Sequence, residues 1–134
     1  MKIALASPKI RLCAPEYNAQ KCVECAREAN ETGADVIVFP ELVLSGATAG
    51  DLFFQELLID CCEEALSSYA RATAGLSIMS FIGLPISLDS AIYNAVACVL
   101  GGSILGITIS GETSRQFTVA PKKRFFGTVC QKQV

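Results

Sequence analysis

The stretch "ADVIVFPELVLSG" at residues 34–46 constrains the fold of this chain more than any other. Val36, Ile37, Val38 and Phe39 follow one another between Asp35 and Pro40 with no polar residue among them. A short, non-alternating apolar run reads as a β-strand covered on both faces. Glu41 is then the first side chain to leave the core. In open α/β sheets the carboxyl ends of strands line the ligand crevice, so a carboxylate at this point sits on a rigid support where chemistry can use it. The other reading is a solvated loop glutamate, the commonest fate of an acidic side chain after a strand.

The flanking pattern builds a unit around that strand. Residues 2–6 alternate and predict a first strand, and "PEYNAQKCVECAREANETGA" spaces Ala19, Cys22, Val23, Ala26 and Ala29 helically before closing near Gly33. Strand, helix and strand make a βαβ unit with a parallel pair. After "LSGATAG", Asp51 is placed to cap a long helix over residues 52–74, with Phe54, Leu57, Leu58, Cys61, Ala65 and Leu66 as its apolar stripe and Gly75 as its end. Residues 78–83 and 92–100 read as buried strands. Residues 104–109 read as a partner of the latter across Gly101-Gly102, a good two-residue hairpin turn. From Ser110 onward periodicity is lost, so the chain divides into a folded part, 1–109, and a loosely specified tail, 110–134.

Bulk properties narrow the function. At 134 residues the chain is one domain at most, a typical domain being roughly 100–150 residues. Lys and Arg number 11 against 13 acidic residues and form no basic stripe, so no nucleic-acid partner is expected. No apolar run approaches the roughly 20 residues of a membrane helix, and "MKIALASPKIRL" turns polar too early for a signal peptide; a cytoplasmic, non-membrane protein is expected. The seven cysteines, Cys13, Cys22, Cys25, Cys61, Cys62, Cys98 and Cys130, are an odd number spread over apolar segments and read as reduced, buried thiols. Cys22 and Cys25 form a CxxC without a second pair, for which packing is the default over zinc or redox use. The chain contains no histidine, which excludes Ser-His-Asp and Cys-His catalysis and histidine-ligated zinc within it. Carboxylates, thiols, lysines and backbone groups are what remains.

The order strand, helix, strand-Pro-Glu, long helix, strand, hairpin resembles the amino-terminal half of the nitrilase (carbon-nitrogen hydrolase) superfamily. "ASPKIRLCAPEYNA", "GADVIVFPELVLSG", "GDLFFQ", "GLPI" and "YNAVACVLGGSILG" look closer still to the glutaminase domain of glutamine-dependent NAD synthetases, over about residues 2–107. "FPEL" marks the superfamily, and "SPKIRL" with "PEYN" and "GDLFFQ" marks the narrower group. The resemblance implies an α/β fold, a partial αββα sandwich. It also implies a Glu-Lys-Cys triad hydrolysing the side-chain amide of glutamine: cysteine attacks the carbonyl carbon, glutamate takes the thiol proton and later activates water, and lysine stabilises the oxyanion. Glu41 matches the glutamate, the general base.

The other two members find no match. Family sequences follow "ILG" with two apolar residues and then Pro-Lys, whereas here Ile104-Leu105-Gly106 leads through Ile107, Thr108 and Ile109 to Ser110, which stands at the lysine position. Lys122 and Lys123 lie a dozen residues further on, in a "KKRF" closer to a later family stretch. The family nucleophile lies well beyond the lysine, and none of the seven cysteines has its context. Ser45-Gly46-Ala47-Thr48 lacks the aromatic the family commonly has after the glutamate. The resemblance assigns no cofactor to this chain and places ATP and magnesium in the synthetase domain of full-length relatives. It therefore implies glutamine as substrate, inactivity of the chain alone, and as partner either a second copy, in a homo-oligomer, or the missing carboxyl-terminal half. Two alternatives remain: a truncated or frameshifted non-catalytic fragment acting at most as an assembly module, or another carbon-nitrogen hydrolase.

Overall fold

A computed structural model describes residues 1–109; Ser110, Lys122, Lys123, Cys130 and the expected tail lie outside the described residues. The elements in chain order are β1 (Ile3–Leu5), α1 (Pro15–Glu31), β2 (Val36–Val38), a 3₁₀ helix (Gly50–Phe54), α2 (Glu56–Ala72), β3 (Met79–Leu88), β4 (Ala91–Leu100) and β5 (Ser103–Ile109). They form one mixed sheet in the order β1-β2-β3-β4-β5. The first three strands run parallel and the last three form an antiparallel meander. Both parallel crossovers step in the same direction across the sheet, and right-handed connections then put α1 and α2 on the same face.

The α1 stripe read from the sequence is the buried one: Ala19, Cys22, Val23, Ala26 and Ala29 all face the core. They share one hydrophobic core with Ile37, Ile82, Leu84, Ala95, Ala97 and Val99 from the sheet. Tyr69 of α2 is fully buried, stands edge-on to Phe39 with ring centroids 6.1 Å apart, and donates its hydroxyl to Ser80 Oγ at 2.7 Å. The hydroxyl is thereby satisfied in the core, and the ring pair adds about 1 kcal/mol beyond its buried area. The run at residues 36–39 is covered more completely on this face than on the other. Ile37 and Phe39 are buried, while Val36 and Val38 are half-buried on the opposite face, where Ile3 and Leu5 are exposed.

Two expectations need correction. The long helix over 52–74 is a short 3₁₀ turn followed by a shorter α2, because Gln55 between them adopts an extended backbone with ψ of 119°. Asp51 therefore lies inside the 3₁₀ turn and does not cap the helix. The stripe shifts accordingly: Phe54 and Leu57 are exposed, and Leu58, Ile59, Cys62, Ala65, Leu66, Tyr69 and Ala70 are buried. The strand expected at 78–83 runs on to Leu88 and turns directly into β4 through Asp89 and Ser90, both at positive φ. That is the backbone of a two-residue hairpin, reached here without glycine. The Gly101-Gly102 hairpin is as expected, with φ of 59° and 85°.

Candidate active site

Glu41 is held by backbone geometry on either side of it. The Phe39 N–H donates to the Phe81 carbonyl at 3.0 Å and the Leu44 N–H to the Gly83 carbonyl at 3.2 Å, so the chain leaves and rejoins the edge of β3 within five residues. Pro40, Glu41 and Leu42 arch between those two bonds over Gly83. A Cβ at residue 83 would stand 2.6 Å from Leu42 N and 2.7 Å from Pro40 O, so only glycine lets the arch lie on the strand. Leu42 is fully buried and has φ of 53°, a left-handed conformation costly for a leucine. Its carbonyl accepts the Gly46 N–H at 2.8 Å, which closes the turn. Backbone strain of this kind persists where the surroundings over-determine it, and such positions cluster at functional sites.

The Glu41 carboxyl emerges on the sheet face away from the helices. The residue is exposed overall, but its Oε1 accepts a hydrogen bond from Nδ2 of Asn94 on β4, which is buried. Asn94 pairs in register with Pro85, and Gly83 pairs with Val96, so Asn94 and Gly83 are diagonal neighbours on one face. The glutamate that crosses Gly83 thus meets the asparagine beside it.

Asn18 of α1, also fully buried, braces the arch from behind. Its Oδ1 accepts the Arg11 N–H at 2.7 Å, and its Nδ2 donates to the Arg11 carbonyl at 2.7 Å and the Leu44 carbonyl at 2.9 Å. Nearby, the Cys13 N–H donates to the Ser45 carbonyl at 2.8 Å. The loop before α1 and the turn after Glu41 are therefore fastened to one amide. Asn18→Ala removes three bonds and leaves buried backbone groups unpaired, and should lower stability by about 3 kcal/mol. Asn30→Ala, which loses only exposed contacts to Ser77, should cost less than about 1 kcal/mol. Urea unfolding of the two variants measures both.

No cysteine side chain takes part in the hydrogen bond between Glu41 and Asn94. Six cysteines lie among the described residues, all as free thiols. Cys22 and Cys62 are fully buried, and burial, followed by the neighbouring Cys25 and Cys61 respectively, pushes each thiol up to about 12. Cys13 and Cys25 are raised too, again chiefly by burial. Thiols held neutral are poor nucleophiles. They also make stability depend on pH. A thiol raised from 9.0 to about 12 on folding contributes stability that is complete below pH 9 and is lost as pH rises towards 12. Urea midpoints should fall across that window, with a smaller slope in the Cys22→Ala/Cys62→Ala variant. No three His, Cys, Asp or Glu side chains gather to hold a metal ion among the described residues. A cavity of about 550 Å³ beside Tyr17, Cys61 and Glu64 lies between the helices, away from Glu41.

Sequence reasoning singled out Glu41 but not Asn94, Asn18 or Gly83. The available signals were an asparagine inside the apolar run "IYNAVACV", where that residue type is depleted, and a glycine inside a strand, which marks close backbone approach. Ser110, at the expected lysine position, lies outside the described residues.

A family model described as carbon-nitrogen hydrolase matches residues 2–113. This chain belongs to the carbon-nitrogen hydrolase family. Among its hydrolase-family relatives is a glutamine-dependent NAD(+) synthetase of Xylella fastidiosa, 33% identical over 127 residues, a match covering 94% of this chain and 23% of that protein. The crystal structure of a glutamine-dependent NAD(+) synthetase from Cytophaga hutchinsonii superposes with a TM-score of 0.87 at 21% identity, covering 98% of this chain and 22% of the other. An amidase from Nesterenkonia superposes with a TM-score of 0.78, also at 21% identity, covering 98% of this chain and 49% of that one. These superpositions establish the carbon-nitrogen hydrolase fold, of which the described residues form the helix-backed sheet. The chain spans less than a quarter of the length of the NAD synthetases it matches. Within the described residues no helix is long and apolar enough to cross a membrane.

Proposed function

We propose that this chain supplies the general-base half of a glutamine-hydrolysing site, with Glu41 as the base, and that it turns over only when the rest of a glutaminase domain completes it. The observation that carries this reading is the arch over Gly83, which presents the Glu41 carboxylate at the end of a core strand with one oxygen held by Asn94. The similarity to glutamine-dependent NAD synthetases over most of the chain supports glutamine as substrate. In the reaction, Glu41 takes the proton of a cysteine thiol as sulfur bonds to the amide carbon, then passes it to departing ammonia. It next takes a proton from water as water attacks the thioester carbon, the carbon–sulfur bond breaks, and the proton passes to the cysteine sulfur as the product glutamate leaves. The cysteine and an oxyanion-stabilising lysine come from the completing half. ATP and magnesium belong to the synthetase domain of full-length relatives, and no step of this chain runs through them.

The partner that best fits is a carboxyl-terminal half-domain laid on the sheet face that bears Glu41, where Ile3, Leu5 and Val96 are exposed. Ser110 in place of the lysine favours a second reading, a fragment that assembles without catalysing. Ammonia release from glutamine, assayed with the chain alone and mixed with the carboxyl-terminal half of a synthetase glutaminase domain, separates the two. Turnover in the mixture alone supports the first reading; a bound but inert mixture supports the second.

A further inference from the structure

We propose that Asn94 is the positioning residue of the base: its side-chain amide fixes the direction of the Glu41 carboxylate. This rests on Glu41 acting as proposed above, and it concerns a residue that neither the triad nor its spacing includes. Asn94 sits in the middle of β4, only 8% exposed, in a strand whose other residues are apolar. A buried amide is costly unless hydrogen-bonded, and its register partner Pro85 offers no side-chain acceptor. The acceptor comes instead from 53 residues away, Glu41 Oε1. The encounter requires the missing side chain at Gly83, which lets residues 40–42 lie on the face that Asn94 shares.

The chemistry of the donor matters. A neutral amide orients a carboxylate without competing for the proton that a base must accept. A lysine would form an ion pair there, and an aspartate would put a second negative charge beside the first. The direction matters to the rate, since misplacement of a catalytic group by about 1 Å can cost about 100-fold.

The test uses the 134-residue chain labelled with ¹⁵N. The side-chain amide resonances of Asn94 should shift along a carboxyl titration in the wild type and stay flat in Glu41→Gln. Identical behaviour in the two, or no response in the wild type, overturns the proposal. In the mixture with the carboxyl-terminal half, Asn94→Ala should lower kcat about 100-fold with KM changed by less than about 2-fold. A kcat unchanged in a folded Asn94→Ala variant also overturns it. Should the wild-type mixture show no turnover, the proposed function fails, while the amide titration still decides whether Asn94 holds Glu41.

Discussion

Glu41→Gln should abolish ammonia release by the completed enzyme, lowering kcat by about 10²- to 10⁴-fold, the range for loss of a general base. The substitution preserves the side-chain shape and an oxygen that can accept from Asn94 Nδ2, but the amide cannot take a proton from a thiol or from water. Because residue 41 is exposed and its backbone is fixed by the bonds from Phe39 and Leu44 to β3, the fold should be unaffected, with stability within about 0.5 kcal/mol of wild type. Steady-state ammonia release and a urea titration on the same preparation measure both quantities. A variant retaining more than a tenth of the wild-type rate would remove Glu41 from the mechanism. A variant that lost activity together with its fold would leave the rate uninterpretable, which is why shape-conserving glutamine is preferred over alanine.

Gly83→Ala should be the most disruptive single-methyl change in the described sheet. The added carbon would meet Leu42 N at 2.6 Å and Pro40 O at 2.7 Å, and both are backbone atoms of a segment pinned at its two ends. A flexible side chain would swing away, whereas this arch has to lift as a unit, straining the Leu44–Gly83 hydrogen bond and the left-handed Leu42. Overpacking of this kind costs about 1–3 kcal/mol, and the value here should lie near 3. Gly75→Ala is the control: nothing lies within 4 Å of its added carbon, and its stability should stay within about 0.5 kcal/mol. Lifting the arch also moves Glu41 off Asn94, so Gly83→Ala should lose the coupled amide titration even in the folded population. If it unfolds at the wild-type urea concentration, the close approach of residues 40–42 to β3 is not what holds Glu41 in place.

The sequence by itself determined the elements whose signal is local. The α1 stripe from Ala19 to Ala29, the uniformly apolar run ending at Pro40, and the Gly101-Gly102 turn each depend on neighbours a few residues apart, and each appears where the pattern puts it. The place of Glu41, as the first charge after a core strand, was legible for the same reason. The start of α2 was not, because Phe54 and Leu57 match the helical period as well as Leu58 does, and only the extended backbone at Gln55 rotates them out to solvent. The Asp89-Ser90 hairpin was hidden because neither residue demands positive φ; the pairing of β3 with β4 imposes it. The rest of the site was decided by tertiary structure alone. Asn94 meets Glu41 across 53 residues and Asn18 meets Leu44 across 26, through a sheet register and a backbone contact at Gly83. Periodicity records which side of an element faces the core. It carries no information on which buried polar group another segment will reach, because that partner is chosen by the distances between strands once they have packed.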